Sequence, residues 1–185
     1  RLRPYWNPAV PAVHVSGFVP VDALAPIGGT GAAVGSFHPL QTLPDPVRGA
    51  AALSGAWAAI TAAEPLAGLL EDFAESLGMR PFALADDAKP LYHAAAAAAA
   101  NYVVEALGVA SDLLDAAHVD MAVMEPLTRR VVENVFAVGS RAALTGPIAR
   151  GDLDTVRGQM RAADGVSPEL GEQFRLLARA TAIRA

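Results

Sequence analysis

The stretch "AKPLYHAAAAAAANY", Ala88 to Tyr102, decides how this chain is read. An unbroken run of alanines, Ala94 to Ala100, is framed by Lys89, Tyr92, His93 and Asn101. Pro90 suits the first turn of a helix, and Asp86 and Asp87 stand where carboxylates meet the positive pole of the macrodipole. The pattern predicts a helix from about Asp87 to Ala117, roughly 45 Å long. Leu91, Ala94, Ala95, Ala98, Tyr102, Leu107, Leu113 and Leu114 leave its first half almost without a polar face. Such a helix is expected to be surrounded by protein. Its small alanines let a neighbouring or partner helix cross closely.

On the N-terminal side of this helix, short apolar runs alternate with turn signals. "AVHVSG" (Ala12 to Gly17), "AAVGSFHP" (Ala32 to Pro39), "AWAAITA" (Ala56 to Ala62) and "RPFALA" (Arg80 to Ala85) have strand length and Gly or Pro borders. "EPLAGLLEDFAESLG" (Glu64 to Gly78) reads as a helix with Pro65 in its first turn and Gly78 as its C-cap. A weaker helix is expected over Val21 to Ile27. Strands alternating with helices suggest part of an α/β sheet.

On the C-terminal side no strand is expected. Asp120 to Val138 reads as helical, with Pro126 kinking it or splitting it in two. "ALTGPIARGD" (Ala143 to Asp152) is a loop. Two further helices follow, Asp152 to Ala163 and Ser167 to Arg184, with Asp152 and Ser167 as N-caps and Pro168 in the second one's first turn. The fold class is therefore α+β, mainly α: a partial α/β domain over residues 1–86, then an all-helical domain over residues 87–185.

Composition narrows the function. The chain has 185 residues, is 53% hydrophobic and carries a formal net charge of −5. It has no clustered Lys and Arg of the kind a nucleic-acid surface needs. Without cysteine there is no disulfide framework and no thiolate zinc site. Asn101 and Glu105 interrupt the alanine helix, so no membrane span is expected. Cytoplasm is the default compartment. The proline-rich start, "RLRPYWNPAVPAV", has no signal-peptide core and reads as an extended lead-in.

Several short motifs carry candidate chemistry. "GGTGAAVG" (Gly28 to Gly35) resembles a dinucleotide fingerprint only superficially: its glycines precede a strand, and Val34 sits where the third glycine belongs. "HVSG" (His14 to Gly17) and "SFHPLQT" (Ser36 to Thr42) each end a strand with polar groups, and ligands in open α/β sheets bind beyond such ends. His14, Ser16, His38 and Gln41 are thus candidates for one crevice; the alternative is turn chemistry, Ser16 and Thr42 bonding nearby backbone. Lys89 and His93 are four apart and share a helix face, with Asn101 about 80° round from His93. A lysine there can polarise a carbonyl oxygen, a histidine can shuttle a proton, and an asparagine can hold the substrate oxygen. The alternative is a solvated lysine, a core histidine and a packing asparagine. A metal site on His14, His38 and His93 lacks any H-x-x-x-H pair or placed carboxylate, so no metal is expected. "RGD" at Arg150 to Asp152 reads as a loop-to-helix turn, and a Ser16–His nucleophile pair lacks the G-x-S-x-G elbow.

Taken in order, "HVSG", "SFHPLQT", "KPLYHAAAAAAANY" and "ALTGPIARGD" resemble the Rossmann-like proteins related to 6-phosphogluconate dehydrogenase whose C-terminal half is a domain of unknown function. The resemblance runs from about Val13 to Ala185. It implies an NAD(P)-dependent reductase of a small 2-oxo or imino acid, with the plan of ketopantoate reductases and β-hydroxyacid dehydrogenases, and a homodimer formed through the helical domain. It further implies catalytic Lys89, His93 and Asn101; a cofactor, NADP or NAD, facing Ser16, Gly17, His38 and Pro39; and a small-molecule substrate facing His14, Gln41 and Tyr92. In the β-hydroxyacid dehydrogenases an Asn follows the lysine by one turn. Here His93 stands there, so either His93 substitutes for the amide or Asn101 supplies it. The first βαβ unit of such a protein, with its G-x-G-x-x-G, is not found in this sequence, and weak NAD(P) binding by this chain alone is the expectation. The rival reading is a non-catalytic helical dimerisation or ligand-sensing module.

Overall fold

The computed structural model describes residues 3–185. Its contacts divide the chain into two compact units, Arg1–Ala100 and Asn101–Ala185.

In the first unit, four strands form one sheet in the order β1 (Ala12–His14), β2 (Val34–Leu40), β3 (Trp57–Ala62), β4 (Arg80–Ala83). β1 pairs with β2 and β3 with β4 in parallel, but β2 and β3 are antiparallel, so the sheet is mixed. The connections are α1 (Ala25–Gly28) between β1 and β2, α2 (Pro46–Leu53) between β2 and β3, and α3 (Leu66–Ser76) between β3 and β4.

Side-chain alternation splits the sheet into two faces with different jobs. Phe37, Ala58 and Ile60 point to one face and are closed over by Leu66, Leu70 and Ala74, the i, i+4, i+8 stripe of α3. Phe37 also meets Phe73 at 5.4 Å between ring centroids. Each large side chain so buried contributes about 1.5–3 kcal/mol. Position 35 falls on this face by alternation and is a glycine where a Cβ would stand 2.9 Å from the Ala62 methyl. The opposite face carries His14, Ser36, His38 and Thr61, and it is there that the chain builds its polar cluster.

Local chemistry explains where the elements start and stop. The expected helix over Val21 to Ile27 is instead a 3-10 turn, Val21–Leu24, followed by the single-turn α1, because Pro26 supplies no N–H for a longer helix. α2 was not expected; its signal is the Asp45-Pro46 pair, in which the carboxylate accepts from Val47 N at 3.0 Å and Arg48 N at 2.9 Å. Gly78, just past α3, takes φ +72°, the left-handed conformation that ends a helix.

α4 (Lys89–Ala116) follows a 3-10 turn, Asp86–Ala88. Its first three turns belong to the first unit, where sequence placed the whole helix in the second domain. The expectation that α4 is wrapped in protein is corrected: Leu91 is 79% exposed and Val104 70%. Alanines gain little by burial, so nothing within the chain needs to cover them. By length and composition, the helix from Asp86 to Ala116 is long and apolar enough to cross a bilayer.

The second unit contains only helices and turns. Pro126 does not kink a helix but opens one: a 3-10 turn, Met121–Met124, leads into α5 (Glu125–Val138). α6 (Leu153–Val166) and α7 (Pro168–Arg184) form a helical hairpin joined at Ser167. Their caps are as expected. Asp152 accepts from Thr155 N at 3.1 Å, and the Ser167 hydroxyl from Leu170 N at 3.1 Å. Ala163, Leu170 and Ala178 are buried between them.

Candidate functional site

The sheet register assembles the cluster. Pairing of His14 with Ser36 places the residues after β1 alongside His38. His38 pairs with Ala59, and Ala59 with Phe82, so a methyl lies between two rings on one cross-strand row. Tyr92, from the first turn of α4, fills the space above. Its ring meets His38 edge-on at 5.6 Å and Phe82 at 6.0 Å, and its hydroxyl lies 2.9 Å from His38 Nδ1. His93 is exposed, its ring centroid 6.5 Å from that of His38.

The segment after β1 forms a strap over this row. His14 Nδ1 accepts from Ser16 N at 3.2 Å, and the Ser16 hydroxyl oxygen accepts from Phe18 N at 3.2 Å and Val19 N at 3.0 Å. These bonds fold the strap back on itself. Gly17 is pressed against His38: a Cβ there would stand 2.7 Å from ring atoms of the imidazole. Phe18 packs edge-on against His93 at 5.7 Å. Since His14 Nδ1 accepts, its neutral ring carries the proton on Nε2. That atom is buried and has no hydrogen-bond partner among the described residues.

Lys89 lies behind the cluster, not in it. It is 1% exposed. Its ammonium donates to the Val19 carbonyl at 3.0 Å and pairs with Asp86 Oδ1 at 2.8 Å. Asp86 in turn accepts from Val21 N at 3.0 Å.

Burial and neighbouring charge disfavour the protonated forms of His14 and His38. Desolvation, then the charges of His93 and Lys89, hold His38 below its ordinary pKa. Desolvation and the Lys89 charge lower His14, although the Pro20 carbonyl and Asp86 pull the other way. Burial raises the Tyr92 phenol. At Asp86 desolvation works upward, but hydrogen bonds from Lys89 and Val21 and the Lys89 charge outweigh it, leaving the carboxyl below its usual value.

Of the residues picked out by sequence, His14, Ser16, Gly17, His38, Tyr92 and His93 come together, with Lys89 behind them. Three do not join them. Pro39 points to the α3 face, since β2 alternates and Phe37 is there. Gln41 is drawn away by the Ala52 carbonyl, to which its Nε2 donates at 3.1 Å. Asn101 is exposed and belongs to the second unit. Phe18, Asp86 and Phe82 were not foreseen as parts of the cluster. Only Asp86 left a signal, an acid three residues before a lysine at a helix start.

Comparison with known proteins places this geometry. A family model described as a domain of unknown function (DUF2520) matches residues 56–181. The structure is similar to that of a proposed NADP oxidoreductase from Bacteroides fragilis, with a TM-score of 0.77 and 24% identity over 92% of this chain and 64% of that one. It is also similar to a protein from Thermotoga maritima, with a TM-score of 0.66 and 22% identity over 92% of this chain and 68% of that one. This chain thus spans less than two thirds of the length of the Bacteroides protein. No curated protein matches it. At these identities the likeness shows a shared fold and nothing further.

Proposed function

The chain belongs to the DUF2520 family, and from that premise we propose that the whole protein is an NADP-dependent oxidoreductase acting on a small 2-oxo or imino acid. One observation supports this reading above the others: a neutral His38 on β2 bonded to Tyr92, in a fold shared with a proposed NADP oxidoreductase.

The residues present suit the nicotinamide end of such a cofactor. Gly17 is buried against the His38 ring, bringing its backbone there without a side chain, and His14 Nε2 is buried and turned inward, under the influence of the Pro20 carbonyl. Ser16 retains a hydroxyl proton to donate. Among the described residues, no glycine-rich turn leads from a strand into a long helix, so nothing here is assigned to a pyrophosphate. When bound, the cofactor supplies or accepts the hydride. The chain's own groups handle the oxygen and the proton. With the Tyr92 O–H donating to His38 Nδ1, the His38 proton sits on Nε2, where it donates to a substrate carbonyl or carboxylate oxygen. Burial raises the Tyr92 pKa and keeps the phenol protonated, so that its O–H is there to donate to Nδ1. His93, open to solvent, exchanges protons with water.

The test is consumption of NADPH by the full-length protein across a panel of 2-oxo acids and cyclic imino acids. Turnover with one class, reduced about a hundredfold in kcat/KM by His38→Gln, is expected. A folded protein inert to the whole panel would sink the reading.

Exposed apolar residues favour a second property, compatible with either an enzyme or a non-catalytic ligand-sensing module. Tyr102 (65%) and Val104 (70%) on α4, and Leu127 (60%) and Phe136 (87%) on α5, are unusually bare. We read them as the face of a cytoplasmic homodimer.

A further inference from the structure

We propose that Lys89 is a positioning residue: with Asp86 it latches the Ser16–Val21 strap to the start of α4, and so holds Gly17 against His38 and Phe18 against His93. Its ammonium is the most deeply buried charge in the first unit, yet neither of its assigned partners is a ligand-facing group. One is the Val19 carbonyl, seventy residues away in sequence. The other is Asp86, three residues back. Asp86 completes the loop by accepting from Val21 N, sixty-five residues away. The carbonyl of Val19 and the amide of Val21 are thus gripped from one side by a single ion pair. Among the described residues, the side-chain bonds that fold the strap between β1 and this grip are those within it, at Ser16 and His14.

Burying an ammonium this deeply is an expensive way to make such a contact, since the group loses its water, while Asp86 stays partly exposed at 38%. It is favoured only where the remaining lone pairs and protons are satisfied, and here they meet strap backbone. Releasing Lys89 to meet a substrate would break both its bonds and leave the Val19 carbonyl bare. The lysine therefore acts on the site through the strap and through its charge, which helps keep His14 and His38 neutral.

This role depends on the reading above only in its turnover arm. The first arm is nuclear magnetic resonance on the chain itself, without cofactor or substrate. Lys89→Met, which keeps the apolar stem, should speed amide exchange at Val21 by at least about tenfold. It should also move the His38 titration upward. Lys89→Arg should restore both. Asp86→Ala, at a partly exposed position, gives the same exchange result should Lys89→Met fail to fold. Unchanged Val21 exchange in Asp86→Ala would overturn the proposal. The second arm uses the full-length enzyme: if Lys89→Ala loses turnover and added ethylamine restores it, the ammonium touches substrate and positioning is excluded. Loss without amine rescue, restored by Lys89→Arg, is the expected result.

Discussion

His38 Nδ1 and the Tyr92 hydroxyl meet at 2.9 Å across a separation of fifty-four residues. This bond ties the second strand to the first turn of α4 and fixes which imidazole nitrogen faces outward. Tyr92→Phe removes it while keeping the ring contacts with His38 and Phe82. The expected cost in stability is about 1 kcal/mol, measured by urea unfolding. The expected cost in full-length turnover is larger, on the order of tenfold or more, because the bond that orients the His38 ring is lost.

The depressed histidines set a pH dependence. His14 and His38 both titrate below their unfolded value of about 6.5. As pH falls below about 6.5, the unfolded chain takes up protons that the folded chain refuses, so stability falls until the folded-state values are reached. Above about 6.5 neither state is protonated and their contribution is complete. Unfolding curves at about pH 5.5 and pH 7.5 should show this loss, and it should shrink in the His14→Gln, His38→Gln double variant.

Gly17→Ala tests the contact beneath the strap. Its methyl would stand 2.7 Å from the His38 ring, so ring or strap must move. A loss of about 1–3 kcal/mol is expected, with chemical-shift changes concentrated at His38, Tyr92 and Phe18. Gly31→Ala, where nothing lies within 4 Å but φ is +94°, should cost about 1 kcal/mol from backbone strain alone and leave those shifts in place.

The opposite sheet face should behave as ordinary core. Phe37 is 5% exposed and packs at a tilt against Phe73. Phe37→Ala should cost about 3–5 kcal/mol and lower Tm sharply.

The bare helical face should close in solution. Sedimentation in detergent-free buffer is expected to show a dimer, and a Val104→Glu, Phe136→Glu variant a monomer. A monomer from the unaltered chain, or partitioning into lipid vesicles, would remove the homodimer reading.

Sequence by itself settled the strands, the caps and the long alanine helix, because these depend on neighbours a few residues apart. Gly78, Asp152 and Ser167 announce their helix ends by chemistry local to each turn. It also named most of the residues that the fold brings around His38, since His14 ends β1 and His38 lies near the end of β2. What it left open was direction: which way β2 and β3 run, which face Pro39 takes, and what Lys89 grips. A lysine's spacing from a histidine says only that the two share a helix side. Whether its ammonium meets a substrate or the backbone of Val19 depends on a strap seventy residues distant, and only the folded chain brings that strap within bonding reach.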